Sequence, residues 1–379
     1  MVPFRKTAKL ILKTFMVLGV AVSFGACALG TDYSFDKKEI KRSWVRRVAP
    51  KSELTSNEVS QASSPIVLEG GNIIQGTNFG GISEFTFYGR KVWSLEDEIA
   101  NVSGDQSVYK NFLFFGTEDR KVYAFDRSEK KILWSVDLQS AVSTISNFKN
   151  GAISILTTRG QIYSLNAADG SVRWTKYLPG RKDLTIYGGP KPIAFKNQIL
   201  AAFPNGSVVS FDSESGKSKW SLNLPGAQKF EDADFMLLTG NDDFFVGVYD
   251  EALYKINPSN GSILWQAFEK PVGDFEVHLG KIYFASKDGD LVILEASSGK
   301  LVSKKKFFRG IGGRPLFINE FMIVSDSKGP ITAYDSKSFK LVDTYDLISP
   351  VSTNIVSNRK GTKFYFISDK GYLYSLGLR

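Results

Sequence analysis

The chain is poor in the residues that most protein chemistry needs. Its 379 residues hold one cysteine, Cys27, and one histidine, His278. A single thiol excludes a disulfide framework within the chain, so stability must come from burial, which this length can supply. A single imidazole has no second His or Cys with which to share a zinc ion. It also leaves only His278 for a Ser-His-Asp nucleophile, which nearly excludes one. His278 lies in FEVHLGKIYF, an apparent strand, and reads as a structural or surface residue. No Gly-rich phosphate loop is visible. The acids of GNDD at 240–243 and KDGD at 287–290 fall where strand-to-strand turns are expected. Neither has the spacing of a full calcium loop.

The longest apolar run, LILKTFMVLGVAVSFGAC, is interrupted by Lys13 and is short for a membrane span. Ahead of it Arg5, Lys6 and Lys9 stand with no acid, and small residues close it, the layout of a secretory signal peptide over 1–26. Gly25-Ala26-Cys27 resembles the lipobox of bacterial lipoproteins, although Phe24 stands where that family usually has leucine. The resemblance implies that Cys27 is acylated and begins the mature chain. Residues 27–39 are small, polar and charged, and read as a flexible lipidated tether. Ala28 after the cysteine resembles the outer-membrane sorting pattern of enteric bacteria. Without 1–26 the formal charge falls from +9 to +5, because 44 Lys and Arg then face 39 Asp and Glu. That balance concerns solubility and makes no case for nucleic acid.

What the chain does contain is a repeat. All six tryptophans fit one template: RSWVRRV at Trp44, GRKVWSLED at Trp93, KKILWSVDL at Trp134, GSVRWTKYL at Trp174, GKSKWSLNL at Trp220 and GSILWQAFE at Trp265. Two further copies place Ser303 and Asp343 at the indole position, and successive spacings are 49, 41, 40, 46, 45, 38 and 40 residues. Four residues upstream lies Gly89, Gly170, Gly216, Gly261 or Gly299, with Lys130 and Phe339 as the exceptions. Eight upstream lies Asp126, Asn166, Asp212, Asn257 or Asp335. Before these run alternating stretches such as KVYAFD and SVVSFD. The template is a strand, a tight turn opened by Asp or Asn, and a returning strand that carries the indole. Two more strand-like runs precede each hairpin, so each repeat has four strands.

A period of 40–50 residues with short strands predicts an all-β protein, an eight-bladed β-propeller of four-stranded antiparallel blades over 40–379. The C-terminal stretch 350–379 supplies only three strands, and the strand bearing Trp44 has no hairpin before it. The N-terminal strand is therefore expected to complete the last blade and remove two exposed edges. The indole on each outer strand is expected to cover the next blade's hairpin, with its N–H meeting a backbone carbonyl there.

NAADGSVRW and NPSNGSILW resemble the docking motif of pyrroloquinoline-quinone (PQQ) type repeats. Enzymes with that repeat hold PQQ and calcium in the central channel, and several carry adjacent cysteines, which this chain lacks. Together with the lipobox, the tether and the ending YLYSLGLR, the chain resembles the BamB family of outer-membrane β-barrel assembly (BAM) lipoproteins. The resemblance implies no catalysis, no cofactor and no metal. It also implies a place on the outer membrane facing the periplasm, among BAM components and unfolded barrel clients.

Two loops fit that family's contacts with the barrel subunit BamA. LPGRKDLTIYGGPKP places Leu184, Ile186 and Gly188 in the family's leucine-rich loop, with Tyr187 where the family has arginine. KFEDADF places Asp232 and Asp234 like its aspartate pair. Taken without the resemblance, the first pair reads as hairpin packing and the aspartates as a solvated, turn-capping loop. Both loops sit in the long 46- and 45-residue intervals. The basic run SKKKFFRG at 303–310 reads as a solvated outer strand, with anionic lipid or an acidic protein face as its other reading. Other PQQ-like envelope scaffolds and a PQQ-dependent dehydrogenase are the alternatives to a BAM role.

Overall fold

A computed structural model describes residues 39–48, 63–78, 81–96, 99–147, 150–177, 189–203, 205–225, 233–351 and 353–378. The segments read above as signal peptide and tether, with Cys27, lie outside the described residues except for Glu39.

The strands assemble as eight separate four-stranded antiparallel sheets arranged as an eight-bladed ring. Blade 1 runs over 66–94, blade 2 over 102–137, blade 3 over 142–177 and blade 4 over 193–223. Blade 5 covers 233–267, blade 6 covers 276–306 and blade 7 covers 316–345. Blade 8 takes its three inner strands from 356–378 and its outer strand, Ile40–Arg47, from the other end of the chain. Ile40 faces Leu378 and Arg47 faces Tyr372 across that closing pair. The expected closure by the N-terminal strand is borne out.

Burial follows position within the blade. Second strands such as Ala152–Thr157 and Phe244–Val248 are buried along their whole length, because a neighbouring blade covers each face. Outer strands alternate instead, as Lys131–Asp137 does. The apolar side chains collect into eight clusters, one at each junction between consecutive blades. Each fully buried aliphatic or aromatic side chain there contributes about 1.5–3 kcal/mol.

The hairpin template works through local hydrogen bonds. In blade 4, Asp212 Oδ1 accepts the Ser215 N–H at 3.0 Å, and the Gly216 N–H returns to the Asp212 carbonyl at 2.9 Å. The backbone and side-chain bonds from Ser215 hold the Asp212 carboxyl down at about 2. Gly216 has φ +66°, and the ring of Trp174 lies over it so closely that a Cβ would stand 2.6 Å from the indole. The same ring-over-glycine contact recurs at Gly89, Gly170, Gly261 and Gly299.

Five indoles donate to a carbonyl of the next blade's hairpin, as expected. Trp44 donates to Phe87, Trp134 to Ala167, Trp174 to Ser213, Trp220 to Pro258 and Trp265 to Ala296, over 2.9–3.2 Å. A β-bulge immediately precedes the indole position in all eight outer strands. The extra residue twists the strand and re-aims the next side chain, which turns the indole toward its neighbour.

The exceptions to the template have physical reasons. Trp93 faces the turn that carries Lys130, whose side chain begins where the glycine template leaves room for the ring. Its N–H donates within its own blade to Glu84 Oε2 at 2.9 Å. Glu84 is 3% exposed and also accepts from Asn72 and from both nitrogens of an Arg127 fork. Phe339 follows the copy that has Ser303 in place of an indole, and its ring packs into the blade 6–7 cluster that an indole would have joined. Asp343 faces blade 8, whose outer strand is not reached by a hairpin. Its Oδ2 accepts the Ile40 N–H at 2.8 Å, holding the start of the closing strand.

Candidate functional site

Residues 178–188 and 226–232, which make up most of the connections between blades 3 and 4 and between blades 4 and 5, lie outside the described residues. Leu184, Ile186, Tyr187, Gly188 and Asp232 lie outside the described residues. Asp234 is described, and the reading of it as a solvated loop residue is corrected. It is the inserted residue of a bulge in Ala233–Leu238, between the Ala233–Val248 and Phe235–Gly247 pairs, and is 6% exposed.

The same kind of irregularity recurs at the start of other inner strands and turns polar side chains toward the axis. In blade 2 a bulge between Ser103 and Gln106 carries Gly104 and Asp105. Gly104 has φ +64° and its backbone lies against the Ser143 carbonyl of blade 3, an approach that a side chain would block. Lys191, Asp274, Arg314 and Asn354 each lie two residues ahead of the inner strands of blades 4, 6, 7 and 8.

Two contacts among these groups tie blades that are not neighbours, 2 with 4 and 6 with 8, and a third joins the adjacent blades 6 and 7. Lys191 Nζ stands 3.2 Å from Asp105 Oδ2, and Asn354 Nδ2 donates to Asp274 Oδ2 at 2.5 Å. Arg314 lies 3.8 Å from Glu276. Burial pushes Asp274 above the ordinary carboxylate range, against the Arg314 charge and the Asn354 hydrogen bond. Burial raises Glu276 in the same direction. Sequence reasoning missed this cluster. Its one legible signal is a glycine directly before a charged residue at or just ahead of an inner strand, in Gly104-Asp105, Gly273-Asp274 and Gly313-Arg314.

The arrangement offers little chemistry. The axial carboxylates and cations satisfy one another, and among the described residues no group of three acid, His or Cys side chains is placed to hold a metal ion. His278 stacks on Phe317 with ring centroids 4.1 Å apart, and burial lowers its pKa. The residues around 240–243 and 287–290 form strand-to-strand turns, closed by Thr239 with Asp243 and by Ser286 with Asp290. A groove of about 650 Å³ lies between blades 1 and 2, lined by Leu68, Glu69, Asn72, Val108, Lys110 and Arg127.

Comparison with known proteins agrees with this geometry. The family model described as outer membrane protein assembly factor BamB matches residues 78–240 and 249–378, more than half of the chain. The protein of that name from Yersinia pestis is 22% identical over 258 residues, covering 64% of this chain and 65% of the relative. The one from Escherichia coli K12 is 24% identical over 292 residues, 60% of this chain and 74% of the relative. A tetrathionate hydrolase from Acidithiobacillus ferrooxidans is 21% identical over 323 residues, covering 71% of this chain and 61% of that enzyme. The chain thus spans slightly under two thirds of the length of several curated relatives.

Among solved structures, BamB from Moraxella catarrhalis superposes with a TM-score of 0.74 at 16% identity, covering 89% of this chain and all of that one. Quinohemoprotein alcohol dehydrogenase from Comamonas testosteroni reaches 0.69 at 11% identity, covering 90% of this chain and 77% of that one. At these identities both show the propeller fold alone. The family is decided by the model match, and the chain belongs to the outer membrane protein assembly factor BamB family of PQQ-like repeat propellers.

Proposed function

We propose that the protein is a non-catalytic scaffold of the outer-membrane β-barrel assembly machinery. Acylated at Cys27, it sits on the periplasmic side of the outer membrane. It binds a BamA-like barrel subunit and helps deliver or align unfolded barrel precursors. One observation supports the reading: the chain is a BamB-family propeller, and its 46- and 45-residue repeats carry their extra length at the blade 3–4 and 4–5 junctions. Insertions in a compact repeat are usually loops with a function. The axial ties are consistent with the non-catalytic part, because among the described residues Asp105 and Asp274 are engaged by Lys191 and Asn354.

The test is affinity capture of the tagged protein from detergent-solubilised envelopes, with BamA and the other BAM lipoproteins read by mass spectrometry. Leu184→Asp, Ile186→Asp and Asp232→Lys, with Tyr187→Ala beside them, are expected to lower BamA recovery while leaving the thermal unfolding of the propeller unchanged. Recovery of the other BAM lipoproteins without BamA would overturn the reading. Asp234 needs separate handling, since a lysine at a 6%-exposed bulge destabilises the blade itself. Asp234→Asn is the variant that tests its charge.

A further inference from the structure

Positive charge is concentrated in one arc of the ring. Residues 296–345 hold nine Lys and Arg against four Asp and Glu, a balance of +5. That equals the balance of everything after residue 26, so the other residues after 26 sum to zero. The arc comprises the outer strand of blade 6 and all of blade 7. Lys300, Lys304, Lys305, Lys306 and Lys340 are exposed along it. Lys304 reaches Glu269 at 3.1 Å and Lys306 bonds the Asp288 carbonyl. Lys300, Lys305 and Lys340 have no ion pair among the described residues.

The same edge exposes aliphatic side chains in register. The two residues ahead of the indole position are Ile263 and Leu264 in blade 5, Leu301 and Val302 in blade 6, and Leu341 and Val342 in blade 7. They are 36% to 61% exposed. Blade 2 repeats the aliphatic pair, but blades 1, 3, 4 and 8 place at least one polar residue there, as Lys91, Arg173, Lys219 and Arg42 show. Three consecutive blades therefore present exposed aliphatic pairs, and on blades 6 and 7 these stand beside exposed lysines.

The course of the chain says what lies beside this strip. Ile40, the first residue of the closing strand, is held by Asp343 on the outer strand of blade 7. Cys27 is thirteen residues upstream of Ile40, a fully extended reach of at most about 45 Å. A chain anchored at Cys27 thus enters the ring on the edge that carries the lysines and the exposed aliphatics.

We propose that the outer edge of blades 5–7 rests on an anionic lipid surface, the lysines on headgroups and the six aliphatic side chains at the headgroup boundary. This inference rests on the reading of Cys27 as the acylated residue. Lysine clusters are drawn to anionic leaflets, and their long stems cover apolar surface while the charge stays in water. The contact fixes how the ring is oriented on the leaflet.

The mature chain, residues 27–379 with Cys27→Ala, carries neither the signal segment nor an acyl group, so it isolates this edge from the anchor. Co-flotation is measured with vesicles of phosphatidylcholine alone and with vesicles containing phosphatidylglycerol. Binding is expected only to the anionic vesicles, with release at about 0.5 M salt, where screening is nearly complete. Lys300→Glu, Lys305→Glu and Lys340→Glu together are expected to lower the partition coefficient at least tenfold, and Leu301→Ser with Leu341→Ser to lower it severalfold. Circular dichroism and thermal unfolding confirm that these surface variants remain folded. Equal binding to both vesicle types, or no effect of the charge reversals, overturns the proposal. Binding to an acidic polypeptide such as polyglutamate without binding to anionic vesicles also overturns it and assigns the strip to a protein. Membrane fractionation of the unsubstituted chain tests the anchor separately, whatever the vesicles show.

Discussion

The indole of Trp174 lies over Gly216 of the following blade, and a Cβ at that glycine would stand 2.6 Å from the ring. Two constraints meet there, because the turn also requires φ +66°. Gly216→Ala is expected to destabilise the propeller by about 2 kcal/mol, from left-handed backbone strain and displacement of the ring together. Urea unfolding followed by tryptophan fluorescence measures it. Lys130→Gly, at a position already at φ +53°, is expected to be neutral or mildly stabilising by about 0.5–1 kcal/mol.

Asp343 holds the Ile40 amide in the one blade built from both ends of the chain. Asp343→Ala is expected to cost about 1–2 kcal/mol, the range for a hydrogen bond with one charged partner. Loss should be local at first. Amide exchange is expected to speed up across Ile40–Arg47 and to stay slow in Ala152–Thr157, deep in blade 3. Uniform acceleration in both strands would show that the contact does not control ring closure.

Glu84 combines burial with four donors. Burial alone would raise its pKa, but the bonds from Arg127 and Asn72, the Arg127 charge and the Trp93 bond together bring it below its ordinary 4.5. A carboxylate whose folded pKa is depressed stabilises above its unfolded value, and that stability is lost as pH falls through the folded pKa. Glu84→Gln is therefore expected to be less stable than the parent at pH 7, by about 2–3 kcal/mol. The gap should narrow below pH 4.5 as Glu84 protonates in the parent chain. Thermal unfolding between neutral pH and about pH 3 checks this, the range following from that shift.

Asp274 has the opposite sign. Burial raises its pKa above 3.8 despite Arg314 and Asn354, so the fold favours the protonated acid. Its contribution is complete below that ordinary value and is lost as pH rises through the folded one. Asp274→Asn is expected to match or exceed the parent stability at pH 7, by up to about 1 kcal/mol, and to converge with it below pH 3.8. Asp274→Ala leaves the Asn354 amide without its acceptor and is expected to be destabilising at both pH values. Equal behaviour of the two variants would mean that the Asn354 tie carries no weight.

Much of this architecture was legible because each repeat states the same local rule. Asp or Asn opens a turn, glycine meets the positive φ, and the indole follows at a constant offset, so Trp174, Trp220 and Trp265 declare one another. The missing fourth strand after residue 350 announced the closure that Ile40–Arg47 performs. The candidate contact loops were legible only as departures from that rhythm. The axial cluster was not, because Asp105, Lys191, Asp274, Arg314 and Asn354 lie far apart in the chain and meet only when blades 2, 4, 6, 7 and 8 face one axis.

The sequence by itself determined the blade count, the strand order and the residues that clasp neighbouring blades, since these depend on short-range turn chemistry and a periodic pattern. Only the tertiary structure decided what the exceptions do. Lys130 displaces Trp93 onto Glu84, Phe339 fills the space beside Ser303, and Asp343 captures Ile40, because each substitution is answered by a residue 36 to 303 positions away. It also placed Asp234 in a buried bulge and gathered the lysines and aliphatics of blades 5–7 onto one edge. Burial and proximity are properties of the closed ring, and no single repeat contains them.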